Sequence, residues 1–417
     1  MEKSFHAGNR QRLYALMKPA SLLVLFAGEE IRKTNDEYYP FFADRSFVYL
    51  TGISAKEAIL LAIKDADGHV QERLYIQQPD AMAERWTGRR IKPQEAELLS
   101  GVGDVRYLGQ FPTEFHHLAA LGHAEFLYLD LYRVSPRDID RPAHRLLRQA
   151  QTEYPFLRVE NANALIRQLR LIKQPCELEA MRKAETITRD GILAMMRASR
   201  PGMYEYQYKA EFDHALGQYG PQGPGFPSII SAGKNNFCIH YYAYSGQAQN
   251  GDMVLNDVGA QWDNVMTDVS RGWPCNGRFT ERQKLLFDCA LETSNHMFSI
   301  VKPGMKMADV DAINRSYNAQ LLVDAGVLQN TADIGQLMWH GGAHHVGYDV
   351  HDVVATPETL APGMVFCVDV GIYHEAWGIG FRLEDNCLVT EDGCENLSRD
   401  IPRTTEDIES VMAHKIF

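Results

Sequence analysis

Four carboxylates stand within apolar, strand-like stretches of the sequence: Asp257, Asp268, Asp369 and Glu384. Asp369, for example, is the only charged residue in the run VFCVDVGIY. Burying an unpaired charge is costly, so such a carboxylate is normally neutralised, paired with a cation or bound to a metal ion. For Asp369 in this run alone, a core acid satisfied by backbone donors or by an arginine is the alternative interpretation.

The spacing of the four acids groups them in two pairs. The Asp-Asn dipeptide at 263–264 favours a tight turn, and Asp257 and Asp268 lie eleven residues apart across it. Because an odd separation across an even-length turn keeps both side chains on one face, a hairpin would bring this pair together. Asp369 and Glu384, fifteen residues apart, satisfy the same rule.

A repeated plan relates the two pairs. Segments 251–259 and 363–371 each consist of a glycine, an apolar run and the tripeptide Asp-Val-Gly, and they begin 112 residues apart. If this is a true repeat, it predicts two similar half-domains that each contribute one aspartate from the middle of a strand.

A histidine-rich segment, WHGGAHHVGYDVHD, lies between the pairs and contains His340, His344, His345 and His351. Two glycines follow His340 and no glutamate does, so the helical zinc-protease pattern H-E-x-x-H is absent. One interpretation is a surface cluster of histidines, and the other is a source of one or two metal-binding imidazoles.

Four carboxylates with one or two imidazoles form a hard, oxygen-rich donor set, which suits Mn²⁺, Co²⁺ or Mg²⁺ better than a thiolate-type zinc site would. Two divalent cations would balance the four negative charges, and Asp268 and Glu384 could bridge them. Such a pair of cations activates a shared water for hydrolysis. The acids therefore predict a hydrolytic metal site.

The elements that must position these residues fall into two predicted domains, 1–160 and 161–417. In the first, the apolar runs SLLVLFAG, SFVYLTG, AILLAIK, RLYIQQP and FLYLDL alternate with helical, charged stretches. These runs predict the strands of a mixed α/β domain. In the second, Pro175 is predicted to open a long helix, since proline suits the first helical position.

The composition argues against several classes of protein. The sequence has 42 Lys and Arg against 54 Asp and Glu. The resulting net charge of −12 argues against a nucleic-acid partner, which would need a basic surface. The apolar runs are too short to span a membrane, and the first residues lack the apolar core of a signal peptide. Seven cysteines without a CxxC pair are typical of free thiols in a reducing compartment, so a cytoplasmic protein is predicted.

Taken together, these motifs resemble the aminopeptidase P and prolidase branch of the pita-bread metallopeptidases. VLNDVG…TDVSRGWPCNGRFT is similar to the family's Asp pair, HGGAHHVGYDVHD to its His motif, and GFRLEDNCLVTEDGCENL to its final Glu motif. RQRLYALMKPASLLVLFAG is similar to part of the family's N-terminal domain. The resemblance implies an α/β (α+β) protein with a ribonuclease H-like N-terminal domain. A pita-bread catalytic domain with pseudo-two-fold αββ halves would follow.

The resemblance also implies a ligand set and an activity. The metal ligands would be Asp257, Asp268, His344, Asp369 and Glu384. They would hold two divalent ions, usually Mn²⁺, with Co²⁺ or Zn²⁺ as alternatives. The implied enzyme is a Xaa-Pro aminopeptidase that acts on proline-containing peptides as a homodimer or homotetramer. A prolidase, restricted to Xaa-Pro dipeptides, shares every motif and stays the alternative.

Further positions match family residues near the reaction centre. By the resemblance, the catalytic set is His240, His340, His351, Asp369, Glu384 and Arg382, and the substrate-binding set is His240, His351, Arg382 and Trp86. His240 would contact substrate near the scissile bond, and His351 would steady the tetrahedral intermediate. Trp86 resembles an aromatic residue that lies over a neighbouring subunit's site, with a packing role as the other interpretation.

One position departs from the family pattern. The family has Glu, usually within E-P-G, where this sequence has Asp369-Val370-Gly371. Aspartate is shorter by one methylene, about 1.5 Å of reach, whereas bonds to metal tolerate a misplacement of only a few tenths of an ångström. This leaves open an enzyme of intact, weakened or re-tuned activity, or a peptide-binding homologue without activity.

Overall fold

The computed structural model describes residues 1–122, 124–352 and 359–414. The chain divides into two compact units, Met1–Arg170 and Leu171–Phe417. The helices are α1 Lys3–Leu16, α2 Arg45–Thr51, α3 Ala81–Thr87, α4 Pro93–Ser100, α5 Phe111–Ala120, α6 Pro142–Glu153, α7 Ala162–Leu171, α8 Pro175–Ala198, α9 Glu205–Gly217, α10 Glu281–Ile300, α11 Met307–Asp324 and α12 Thr405–Ala413. The strands are β1 Ser21–Phe26, β2 Ile59–Lys64, β3 Val70–Ile76, β4 Val105–Tyr107, β5 Phe126–Leu129, β6 Arg158–Asn161, β7 Ile229–Ala232, β8 Met253–Val258, β9 Gln261–Trp262, β10 Val265–Met266, β11 Val269–Pro274, β12 Val365–His374, β13 Ile379–Val389 and β14 Cys394–Asn396.

The first unit is built on one mixed sheet with the strand order β4-β3-β2-β1-β5-β6. An antiparallel meander, β1 to β3, forms its centre, and the remaining strands pair in parallel. Phe115 of α5 and Leu146 of α6 pack against Leu22 and Leu127 of the sheet. The mixed α/β domain predicted from the alternating runs is thus present.

One of the apolar runs predicted as a strand is a helix. SFVYLTG lies mostly within α2, where the Asp44 side chain accepts hydrogen bonds from the backbone N–H groups of Ser46 and Phe47. Gly52, at φ +68°, ends this helix in the left-handed conformation. Every residue of α2 is buried, so the run carries no polar face that would reveal a helical period.

In the second unit, five strands join in the order β12-β13-β11-β8-β7, with β14 beside β13, and all pairings are antiparallel. One face of this sheet packs against α8, α9 and α10 in a core that includes Val258, Val370 and Leu383. Each of these three residues is adjacent in sequence to one predicted ligand. Because side chains alternate along a strand, the ligands lie on the opposite face.

Two local predictions about the second unit are confirmed. Asp263 and Asn264 form a two-residue turn between β9 and β10 with φ +48° and +70°, which is the backbone of a type I′ hairpin. Helix α8 begins at Pro175. Within the described ranges, no helix combines the length and apolar character needed to cross a membrane.

Glu185 of α8 is a buried carboxyl away from the predicted ligands. Ser398 Oγ donates to its Oε1 at 3.0 Å. Burial raises the pKa of Glu185 to about 8 from its usual 4.5, despite this hydrogen bond. The folded protein therefore keeps a proton that the unfolded chain releases, and stability falls as pH rises from about 4.5 to about 8.

We expect Glu185→Gln to remove this pH dependence. Relative to the parent, the free energy of unfolding of the variant should rise by about 3 kcal/mol between pH 5 and pH 8. Urea unfolding at both pH values measures the difference. Glu179→Gln, an exposed change on the same helix, is the matched control. An equal gain at both pH values would show that the Glu185 carboxyl does not titrate in this window.

Candidate metal centre

A row of polar side chains crosses four strands of the second sheet. Asp369 of β12 lies opposite Glu384 of β13. Glu384 lies opposite Ser270 of β11, which in turn lies opposite Asp257 of β8. Asp268 precedes Ser270 by two residues and shares its face. The structure thus brings the four acids to one face of the sheet, in the pairs that their spacing predicted.

Backbone hydrogen bonds hold the histidine-rich segment against the outer edge of β12. The Cys367 N–H donates to the carbonyl of His344 at 2.8 Å, and the Asp369 N–H donates to that of Gly342 at 2.9 Å. Asn314 of α11 supports this edge by donating to the Asp369 carbonyl at 2.8 Å. The segment therefore lies beside the row of acids.

His344 is the histidine that faces two of the acids. Its Nε2 lies 3.5 Å from Asp268 Oδ2 and 3.5 Å from Glu384 Oε1. The His351 ring packs edge-on against it, with 4.3 Å between ring centroids. His345, to which no role was assigned, is instead buried, with Nδ1 3.3 Å from the Val365 carbonyl.

Each acid of this row has one buried carboxylate oxygen without a hydrogen-bond partner among the described residues: Asp257 Oδ1, Asp268 Oδ1, Asp369 Oδ1 and Glu384 Oε1. Buried polar atoms are normally satisfied, and unsatisfied ones require an explanation such as a bound ion. These oxygens, together with an imidazole 3.5 Å from two of the acids, fit divalent cations.

The acids also perturb one another's ionisation. Burial raises the pKa of Asp268 and of Asp369 well above the usual range, and the nearby Glu384 carboxylate raises both further. Burial also acts to raise the pKa of Glu384, but the adjacent His344, the Ser270 hydrogen bond and the Arg382 charge outweigh it and lower the pKa to about 2. Full ionisation of this cluster therefore requires positive charge within it.

Arg382 supplies one such charge from the protein itself. Its Nη2 donates to Asp257 Oδ2 at 2.7 Å, and its Nη1 donates to the Tyr373 hydroxyl at 3.0 Å. Nη1 also donates to the carbonyl of Ile239 at 3.2 Å. Arg382 thereby connects Asp257 to the chain segment that carries His240, whose own side chain is exposed.

His340 lies at the other end of the same network. Its Nδ1 is 3.2 Å from Asp369 Oδ2, and its Nε2 is 2.9 Å from the Tyr373 hydroxyl. Trp86, by contrast, belongs to the first unit, where it lies on α3 and is 82% exposed. Its predicted role near substrate stays a prediction.

Three residues of the site escaped sequence reasoning: Ser270, Cys367 and Tyr373. Ser270 donates to Glu384 Oε2 at 2.8 Å, and the other two lie on β12 with Asp369. Each is separated from a predicted ligand by an even number of residues on the same strand run. Because side chains alternate along a strand, that even spacing could have assigned all three residues to the ligand face from the sequence alone.

Comparison with known proteins identifies the chain's relatives. The model of metallopeptidase family M24 matches residues 179–391, which contain every residue of the row. The chain belongs to metallopeptidase family M24. Residues 6–128 match the N-terminal domain of aminopeptidase P, so both units of this M24 protein have assigned counterparts.

Full-length relatives support the same assignment. The Xaa-Pro aminopeptidase of Escherichia coli strain K12 is 30% identical, over 97% of this chain and 96% of its own length. A solved Bacillus anthracis structure has a TM-score of 0.96 and 34% identity, and covers 100% of this chain and 99% of that chain. The E. coli aminopeptidase P structure with the inhibitor Pro-Leu has a TM-score of 0.90 and 28% identity, with 99% and 98% coverage.

These findings confirm the predicted family and the predicted fold, with an aminopeptidase P N-terminal domain and a pita-bread M24 domain. They also confirm that the chain is a peptidase of a family that uses divalent metal ions. In this chain, the unsatisfied carboxylate oxygens described above are suitable donors for such ions.

Proposed function

We propose that this M24 peptidase is a Xaa-Pro aminopeptidase, which hydrolyses the bond between an N-terminal residue and a following proline. The observation that carries the proposal is the convergence of unsatisfied carboxylates and one imidazole on a single sheet face. The substrate class is supported by relatives of that name, which the chain matches over nearly its full length. The proposed ligands are Asp257, Asp268, His344, Asp369 and Glu384.

Two divalent ions in this site would supply an activated water and polarise the scissile carbonyl. Mn²⁺ suits a set in which most donors are carboxylate oxygens. Glu384 is the proposed proton acceptor, because its carboxylate lies within the proposed ligand cluster and Ser270 Oγ fixes its Oε2 with a 2.8 Å hydrogen bond. Asp369 is proposed to assist, with its Oδ2 beside His340.

Imidazole groups are proposed to stabilise the charge that develops on the substrate carbonyl. His351 packs against His344, and His240 follows the residue whose carbonyl Arg382 holds. These contacts support the proposal that the two rings donate N–H groups to the developing oxyanion. Arg382 keeps Asp257 oriented through its 2.7 Å hydrogen bond.

Hydrolysis of short peptides in the presence of Mn²⁺ tests the proposal. We expect cleavage of Ala-Pro-Ala after its first residue and no cleavage of Ala-Ala-Ala. Cleavage of Ala-Pro alone would assign a prolidase instead. No cleavage of either proline peptide with Mn²⁺, Co²⁺ or Zn²⁺ would overturn the assignment and favour a peptide-binding protein.

Asp369→Glu introduces the residue that the family pattern has at this position. We expect turnover to fall about tenfold, because an added methylene overfills a buried site. Asp369 Oδ2 already lies 3.2 Å from His340 Nδ1. Steady-state kinetics with Ala-Pro-Ala measure the change, and Asp324→Glu, at an exposed helix end, is the control. Higher metal content and faster turnover in Asp369→Glu would identify Asp369 as a weakened ligand.

We also propose that the protein is a homodimer or homotetramer. Helix α3 supports this, because it exposes 82% of Trp86 and 63% of Met82, and exposed apolar side chains in proximity are typical of protein–protein contacts. Light scattering measures the assembly. The predicted cytoplasmic location stays a prediction.

A further inference from the structure

Cys367 is a buried thiol that the proposed reaction does not use. It precedes Asp369 by two residues on β12 and is fully buried. Its Sγ and one ligand atom each of Asp268, His344 and Glu384 all lie within 4.8 Å of one another. Besides this group, the only described cluster of potential ligands is an exposed one at Asp65, Asp67 and His69.

The position of Cys367 follows from the sheet. Its register partner on β13 is Asn386, whose Oδ1 accepts a hydrogen bond from the Asp268 N–H at 3.3 Å. On its other side, the Cys367 N–H donates to the His344 carbonyl at 2.8 Å. The thiol is therefore fixed between two proposed ligands by main-chain geometry.

The other two acids are engaged elsewhere. Asp257 Oδ2 accepts the Arg382 guanidinium at 2.7 Å, and Asp369 Oδ2 lies 3.2 Å from His340 Nδ1. The donors grouped around His344 are thus two carboxylates, one imidazole and one thiol. Four donors of these types match in number and kind a tetrahedral Zn²⁺ or Co²⁺ site.

We infer that Cys367 supplies a sulfur ligand to the ion held by Asp268, His344 and Glu384. The inference rests on the proposed function for the assignment of those three ligands. Binding forms one sulfur–metal bond, breaks the S–H bond and releases one proton to solvent, with no change of oxidation state. Because thiolate is a soft donor, this position should select Zn²⁺ or Co²⁺ over Mn²⁺.

Cobalt spectroscopy of the full-length protein tests the inference without an activity measurement. The metal-free protein is loaded with Co²⁺, bound cobalt is quantified, and the near-ultraviolet spectrum is searched for a thiolate-to-cobalt charge-transfer band. We expect the band in the parent and its loss in Cys367→Ser. Cys387→Ser is the matched control, since Cys387 is equally buried in β13 but lies on the other face.

Affinity gives a second measurement. Cys367→Ser should weaken Zn²⁺ binding about tenfold or more and leave Mn²⁺ binding nearly unchanged. Bound cobalt without the band in the parent would overturn the inference, whether or not Cys367→Ser folds. The band in a protein that cleaves no proline peptide would support the sulfur ligand while overturning the proposed function.

Discussion

Glu384→Gln is expected to lower kcat for Ala-Pro-Ala by about 10²-fold to 10³-fold, as loss of one preorganised catalytic group does in other hydrolases. The variant keeps the size of the side chain but removes the charge next to His344 and Asp268. It also removes the proposed proton acceptor. Metal content should fall in parallel, measured by elemental analysis after dialysis, alongside steady-state kinetics.

Glu395→Gln provides the control for this change. Glu395 is a partly exposed acid on β14, paired with Arg182 at 2.6 Å, and the neutral variant should keep its activity and metal content. Circular dichroism should show the same fold for both variants. Normal turnover in Glu384→Gln would contradict its roles as ligand and proton acceptor.

Asp385→Asn is expected to act on stability, although it neighbours Glu384. Asp385 points to the other face of β13, where its Oδ1 and Oδ2 accept from Arg271 at 2.6 Å and Arg403 at 2.8 Å. Arg271 and Asp385 are both fully buried. Leaving a buried cation without its partner costs about 3–5 kcal/mol, so we expect a loss of this size in urea unfolding.

Asp392→Asn, an exposed change three residues beyond β13, should stay within about 0.5 kcal/mol of the parent. Glu384 and Asp385 are neighbours on β13, but their side chains lie on opposite faces of the sheet. We therefore expect Glu384→Gln to lower turnover and Asp385→Asn to lower the free energy of unfolding. Parent-like unfolding of Asp385→Asn would show that the Arg271 charge is compensated by its backbone acceptors alone.

The parts of the site that the sequence predicted follow from local rules. The turn at 263–264 and the odd separations of the acids determine which side chains share a face, whatever the rest of the fold. Asp257, Asp268, Asp369 and Glu384 could therefore be grouped by spacing and residue type alone. The order of strands that joins the two pairs depends on long-range pairing, which no local pattern in the sequence specifies.

The failures have equally specific causes. SFVYLTG was misassigned because α2 is buried on all sides, and an apolar run without a polar face does not distinguish helix from strand. The position of His344 depends on an edge pairing that no periodicity in a glycine-rich segment could indicate.

His344 reaches the cluster on an edge segment, whereas the acids stand on or beside paired strands of the sheet. Local opening of the Cys367 and Asp369 hydrogen bonds would withdraw one proposed ligand and leave the other proposed ligands in register. Binding of a cation by the proposed ligands would therefore favour the closed form of this edge over the open form. Free cation at a hundred times its Kd would reduce the open population about a hundredfold. With His344 as the proposed ligand, the free cation concentration would set how ordered this edge of the peptidase is.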